Sequence, residues 1–370
     1  MMRQIESRSL WVTAVTAVLA FGFGCGGSEK SQPIAFGAEG NRLLAYETQA
    51  PWAVQTVIER FSQDPSGWDI NGQICFVPDG SGRFVAGEDT GQPNPPAGYG
   101  FFQLSGRRVG ELQAARIGKL IPTYQEARSQ PEPYGCGFLS DGRLLTTDVG
   151  NQSSGDPTGQ LMIWFPPFDR DTVRYCKLDV AIGTAGGIYV DPQDRVYVAS
   201  ARATAGVFLF EPPYPTSDEE SGGCGRVDAT GAPLADQVQR QTFLSANPNS
   251  PTPNAVAASG RDTIYVSSVF NGVISEYDLN GEFLRRILEP PSEESLGPVP
   301  YSTGTPMGIA VDRAGRVSYA DLGIRVSGSG IGPGRLAGSY RMIEFLDGEP
   351  QPPRTLASGL AFPDGAGIME

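Results

Sequence analysis

The sequence predicts an all-β protein, a six-bladed β-propeller built of four-stranded antiparallel blades. Three observations predict it. A unit of four short β-rich runs recurs five times along the chain. Asp-Gly-type turns join the first two runs of the unit, and no amphipathic helix interrupts the series. The two ends of the chain then supply the runs of a sixth unit.

The innermost runs are Gln73 to Val77, Cys136 to Leu139, Gly187 to Val190, Ala255 to Ala258 and Gly308 to Val311. Each is followed by hairpin chemistry: Pro78-Asp79-Gly80, Ser140-Asp141-Gly142, Asp191 to Asp194, Ser259 to Asp262, and Asp312 to Gly315. The second runs end in a small residue and then a polar one: Arg83 to Glu88, Arg143 to Asp148, Arg195 to Ser200, Thr263 to Ser268 and Arg316 to Asp321. Third runs follow at Tyr99 to Leu104, Gln160 to Phe165, Gly206 to Phe210, Gly272 to Tyr277 and Tyr340 to Phe345. Fourth runs stand at Tyr175 to Val180, Arg240 to Ser245, Glu282 to Leu288 and Arg354 to Ala357, and the first unit shows its fourth least clearly. Pro363 to Met369 repeats the innermost run, while Pro33 to Ala38, Arg42 to Glu47 and Val54 to Phe61 complete the sixth blade. Strands from both termini thus close the ring and remove an exposed sheet edge. The propeller domain is expected over 33–370.

Residues 1–24 read as a lipoprotein signal peptide and 25–32 as a tether. Arg3 and Arg8 precede an apolar stretch, Leu10 to Phe23, that is short for a membrane span. Cys25 follows Gly24 directly in a motif that resembles a bacterial lipobox, with Gly22 where leucine is usual, and is the expected site of lipidation. No aspartate follows it, which by resemblance to sorting in Gram-negative envelopes implies an outer-membrane lipoprotein of the cell envelope, with the membrane as its partner through the anchor. That leaves Cys75, Cys136, Cys176 and Cys224, an even number in an oxidising compartment. Disulfides follow, with three pairings open.

Composition excludes more than it assigns. The 370 residues carry a net charge of −13, which removes nucleic acid as a partner. Absence of histidine removes Ser-His-Asp and Cys-His catalysis and histidine metal sites. The 48 glycines and 31 prolines fit a chain of many tight turns. Asp218-Glu219-Glu220 with Cys224 belong to an insertion between the last two strands of the third blade, read as a solvated excursion that a disulfide could pin. A monomer is expected.

Pro306-Met-Gly-Ile-Ala-Val-Asp312 with Gly315 to Asp321, and the shorter Pro253-Asn254 and Pro363-Asp364-Gly365, resemble NHL-repeat proteins and the gluconolactonase (senescence-marker) propellers. The resemblance spans roughly 33–370. It implies that the first strands line a central channel, and that the loops before them and after the second strands share one face. Aligned on that basis, Asn71, Tyr134, Ala185, Asn254, Met307 and Asp364 are equivalent, and Glu88, Asp148, Ser200, Ser268 and Asp321 join them on one rim of the channel. The gluconolactonase-like enzymes hold a divalent metal there with a glutamate, an asparagine and an aspartate. Asn254 matches that asparagine, although Ala255 replaces the glycine after it. Asp364 matches the aspartate one blade later than the pattern requires, Met307 fills the expected slot, and Asn71 stands where the family has glutamate. Asn71, Asn254 and Asp364 are therefore the metal candidates, for one Ca²⁺ or other divalent ion.

Glu88, Tyr134, Asp148, Ser200, Ser268, Met307 and Asp321 are the expected ligand-binding rim. Asp148 and Asp321 also suit a structural role, since NHL-type repeats use such an aspartate to hold the next turn. Two functions remain. The first is a lipid-anchored propeller that binds a small molecule, glycan or partner protein at the channel face without catalysis. The alternative is a divalent-metal-dependent hydrolase of the lactonase or esterase type, with Asp364 as catalytic candidate.

Overall fold

The computed structural model describes residues 32–60, 71–88, 97–124, 131–150, 159–202, 204–258, 261–294, 301–327 and 330–370. Residues 1–31, on which the expected signal peptide, Cys25 and all but the last residue of the expected tether fall, lie outside the described residues, as does the side chain of Asn71.

Six four-stranded antiparallel blades form the domain. Blade I holds Asn71–Phe76, Arg83–Glu88, Gly98–Ser105 and Gln113–Leu120, the last being the strand least visible in the sequence. Blade II holds Pro133–Phe138, Leu144–Asp148, Gln160–Trp164 and Tyr175–Asp179; blade III holds Ala185–Val190, Val196–Ser200, Gly206–Glu211 and Gln239–Ser245. Blade IV holds Pro253–Ala258, Thr263–Ser268, Val273–Asp278 and Phe283–Leu288; blade V holds Pro306–Val311, Val317–Asp321, Gly338–Ile343 and Arg354–Leu360. Blade VI joins Pro363–Met369 from one end of the chain to Ile34–Glu39, Arg42–Glu47 and Val54–Ile58 from the other. Each innermost strand touches the innermost strands of both neighbouring blades, so the six close a ring around a channel.

Local chemistry explains the hairpins. Asp191 accepts hydrogen bonds from the amides of Gln193 and Arg195 and pairs with the Arg195 side chain at 2.6 Å. Asp312 repeats this with Ala314, Arg316 and the Arg316 guanidinium. One carboxylate thereby satisfies the amides of a tight turn and fixes the register of the strands it joins. Arg316 then reaches from blade V to Thr48 of blade VI, donating to its carbonyl at 2.5 Å and its hydroxyl at 2.8 Å. At the same seam Tyr46 stacks on Tyr340 with ring centroids 4.4 Å apart, and the Tyr340 hydroxyl donates to the Phe36 carbonyl. The sides of the blades are apolar and packed on one another, with Trp164, Tyr99, Phe84 and Tyr319 fully buried. Closure of blade VI is an antiparallel ladder from Ile34 with Met369 to Glu39 with Pro363, bulged at Asp364 where the register shifts between Ala38 and Glu39.

Two disulfides are present, Cys75–Cys136 and Cys176–Cys224. The first staples the innermost strands of blades I and II. The second fastens the insertion of blade III to the outermost strand of blade II. The insertion is pinned by that disulfide and keeps Glu219 and Glu220 exposed, but it is docked rather than a free excursion: Pro233–Leu234 adds to the Tyr175–Asp179 strand in parallel, and Arg226–Val227 pairs with it in turn. Lys177, fully buried, reaches Asp228 of the insertion at 2.5 Å and lies 3.7 Å from the centre of the Tyr124 ring. The outer edge of blade II is thus covered by the chain itself.

Candidate functional site

The starts of the innermost strands define one mouth of the channel and their ends define the other. Registers refine the equivalence read from the sequence. Pro133, Ala185, Pro253, Pro306 and Pro363 each pair with the last residue of their second strand: Asp148, Ser200, Ser268, Asp321 and Glu39. Tyr134, Asn254, Met307 and Asp364 follow those prolines, and in blade III that place belongs to Gly186, not Ala185. Blade I departs, with Asn71 opposite Gly87 and a wider bulge before Ile74. Its Gly72, at φ +74°, leaves room that a side chain would take, since a Cβ there would stand 2.1 Å from the Tyr134 carbonyl.

At the first mouth Tyr134, Asn254 and Met307 come together and are occupied with one another. The Asn254 amide nitrogen donates to the Tyr134 hydroxyl at 2.7 Å and to the Met307 carbonyl at 3.0 Å. A carbonyl only accepts, so this contact fixes the NH₂ of Asn254 toward it. Ser267 also donates to the Met307 carbonyl, at 3.0 Å, while accepting the amide of Ala255. Tyr134, Asn254 and Asp364 are all buried. Burial raises the Tyr134 phenol well above its ordinary range, the nearby Asp364 charge raises it further, and the Asn254 hydrogen bond offsets part of this.

The second-strand ends serve the backbone. Asp148 accepts from the amides of Glu132 and Gly150 and from the Tyr124 hydroxyl, and burial holds its carboxyl above the usual carboxylate range despite those donors. Asp321 accepts from the amides of Thr305 and Gly323 and from the Ser339 hydroxyl, and Arg341 lies 3.1 Å away. The Ser268 hydroxyl accepts the Thr252 amide, and Glu39, unnoticed in the sequence, accepts that of Ala361. In blades II, IV, V and VI the terminal side chain therefore holds the loop that leads into its own first strand. Glu88 is buried between Arg116 and Lys119, the latter 3.0 Å away. Ser200 donates to the Arg202 carbonyl.

A divalent ion fits this arrangement poorly. Asp364 is the one carboxylate of the candidate set, and Asn254 turns its donor nitrogen toward the Tyr134 and Met307 oxygens. Among the described residues, no three Asp, Glu or Cys side chains gather into a group that could hold a metal.

The other mouth is open. A cavity of about 300 Å³ occupies the hairpin end of the channel, walled by the later residues of all six innermost strands, with no charged side chain in its lining. Its floor is Gln73, which sequence reasoning passed over. The Gln73 side chain crosses the channel to blade III, donating to the Ile188 carbonyl at 2.8 Å and accepting the Ile188 amide at 2.9 Å and the Cys136 amide at 3.2 Å. The signal was available: Gln73 is the one large polar residue beyond the second position of any innermost strand.

No protein-family model matches the chain, and no curated protein matches it. Solved structures do match over most of its length. A luciferin-regenerating enzyme is 11% identical with a TM-score of 0.55, covering 90% of this chain and 92% of its own. A structure of a nidogen/laminin complex is 10% identical at 0.54, covering 91% and 98%. A protein of unknown function from Bacteroides caccae is 12% identical at 0.53, covering 92% and 100%. Identities this low carry the fold and nothing of the activity.

Proposed function

We propose that this chain is a lipid-anchored propeller of the bacterial envelope that binds a ligand in its channel and catalyses nothing. One observation carries the reading: the polar side chains of the rim are spent on loop amides and on each other, while the opposite mouth is an open, uncharged cup. A hydrolase needs a base within reach of a substrate or an activated water. Here Asp364 is buried beside a phenol, and Asp148 and Asp321 are saturated by donors. Cys25 supplies the anchor, and the cup supplies the ligand seat.

Calcium titration by calorimetry on the wild type and Asp364→Ala, with a screen of lactones and esters, tests the reading. The expected result is no saturable heat that the substitution removes, and no turnover. Saturable binding lost in Asp364→Ala, together with hydrolysis, would establish the metal-dependent hydrolase instead. Radiolabelled palmitate should enter the wild-type protein in cells and not Cys25→Ala.

A further inference from the structure

Antiparallel pairing decides which backbone groups face the channel. In such a pair, residues alternate between bonding the partner strand and pointing away from it. Leu139 and Asp191 donate their amides to the second strands of their own blades, at Arg143 and Arg195. Phe138 and Val190, one residue earlier, therefore turn both N–H and C=O toward the channel. Cys136 and Ile188, two residues earlier again, do the same. Gln73 uses that second pair: its oxygen accepts the amides of Cys136 and Ile188, and its NH₂ donates to the Ile188 carbonyl.

That grip selects one chemical group. Closing the ring on Ile188 takes an N–H on the same side of the C–N bond as the carbonyl oxygen. A primary carboxamide has one. The trans secondary amide of a peptide or an acetamido group does not, because its N–H points away from the oxygen.

The next layer of the channel repeats the three backbone groups. The amides of Phe138 and Val190 and the Val190 carbonyl stand on the same two strands, roughly 7 Å nearer the open mouth. The strands are still close there, since a Cβ on Gly137 would lie 2.8 Å from the Val190 side chain. Blade I sends no second glutamine to this layer: Cys75, two residues after Gln73, is bonded to Cys136. Phe138 and Val190 both line the cavity, and blades IV, V and VI face them with the apolar Val256, Ile309, Val311 and Ile368.

We infer that this layer seats a small neutral molecule that ends in a primary carboxamide on an apolar body, gripped by Phe138 and Val190 as the chain grips its own Gln73. A carboxylate of the same shape would set an oxygen against the Val190 carbonyl, in a cup whose lining holds no charged side chain to balance it. At about 300 Å³ the cup stands at the small end of ligand pockets, which suits a carboxamide with one ring-sized substituent. The inference rests on the binding reading above and names its ligand class.

The test is a titration of the isotope-labelled full chain with benzamide and with the smaller propionamide, followed by amide NMR shifts. Two controls match benzamide in shape. Acetophenone carries CH₃ where benzamide has NH₂, and N-methylbenzamide carries its methyl where the required N–H stands. Saturable shifts at the Phe138 and Val190 amides are expected with a primary carboxamide, and each control should bind about tenfold more weakly than benzamide. Acetophenone or N-methylbenzamide binding as well as benzamide would overturn carboxamide recognition while leaving a cup that binds neutral molecules, so the binding reading would survive. Shifts confined to residues around Tyr134 and Asp364, or no saturation with either carboxamide, would overturn the seat. None of these outcomes depends on whether calcium or lactones give a signal.

Discussion

Replacing Gln73 by leucine removes the floor of the cup at nearly constant side-chain volume. Three backbone groups lose their partner: the amide and carbonyl of Ile188 and the amide of Cys136. A buried group left unsatisfied costs about 1–3 kcal/mol. Water entering from the cup can reach some of them and recover part of that cost. The net loss is about 3 kcal/mol. For a domain of this size, 1 kcal/mol moves the melting temperature by roughly 2 °C, so Gln73→Leu should melt about 6 °C lower in scanning calorimetry. Gln73→Glu should also fall, because a carboxylate oxygen then faces the Ile188 carbonyl where a donor stood. A drop of less than 1 °C in the leucine variant would refute the argument that this amide holds blades I, II and III together across the channel.

Other outcomes follow from the same geometry. Tyr134→Phe deletes the hydroxyl that accepts from Asn254 but leaves Met307 as partner, so a loss of about 1 kcal/mol in urea unfolding is expected. Asp148→Asn keeps an oxygen for the two backbone amides but sets its NH₂ against the Tyr124 hydroxyl, which must turn from donor to acceptor, and should cost about 1–2 kcal/mol. Burial raises the Asp148 carboxyl, so the stability it contributes is present below about pH 4 and is lost as pH rises through its folded value; the wild-type advantage over the asparagine variant should shrink in that direction, read from unfolding curves at several pH values. Lys177→Met leaves Asp228 without its cation and should cost about 3–5 kcal/mol, with faster proteolysis of residues 213–238 as the local readout. Mass spectrometry of an unreduced digest should find peptides linked through Cys75–Cys136 and Cys176–Cys224, and no cross-pairs.

The architecture was legible because it is written in turns. Asp-Gly pairs and Asp191- and Asp312-type hairpins recur at fixed offsets from β-rich runs, and that periodicity locates strands nearly to the residue. The sixth blade was legible for the same reason, since Pro363-Asp364-Gly365 repeats the innermost pattern. What the repeat could not give was the direction in which a side chain spends its hydrogen bonds. Asp148 and Asp321 look alike as ligand-binding rim groups and as loop anchors until the amides of Glu132 and Thr305 are placed beside them. Blades I and III slipped by a residue at the rim because Gly72 and Gly186 replace side chains that would have marked the register. Gln73 reads in one dimension as an ordinary polar residue in a strand, and only closure of the ring brings Ile188 opposite to it. The partners of Cys75 and Cys176 likewise depend on which blades become neighbours and on where an insertion folds back.

The placement of the disulfides divides the ring unequally. Cys75–Cys136 links blade I to blade II, and Cys176–Cys224 links blade II to the insertion of blade III. Blades IV, V and VI contain no cysteine at all. Oxidation therefore turns half of the circle into one covalent block, while the other half is held by packing, by the Arg316 reach to Thr48, and by the ladder from Ile34 to Glu39. A bracelet made this way opens on the side without rivets. Slow hydrogen exchange should persist longest around the first three blades, and reduction should abolish that contrast by making every seam depend on packing alone.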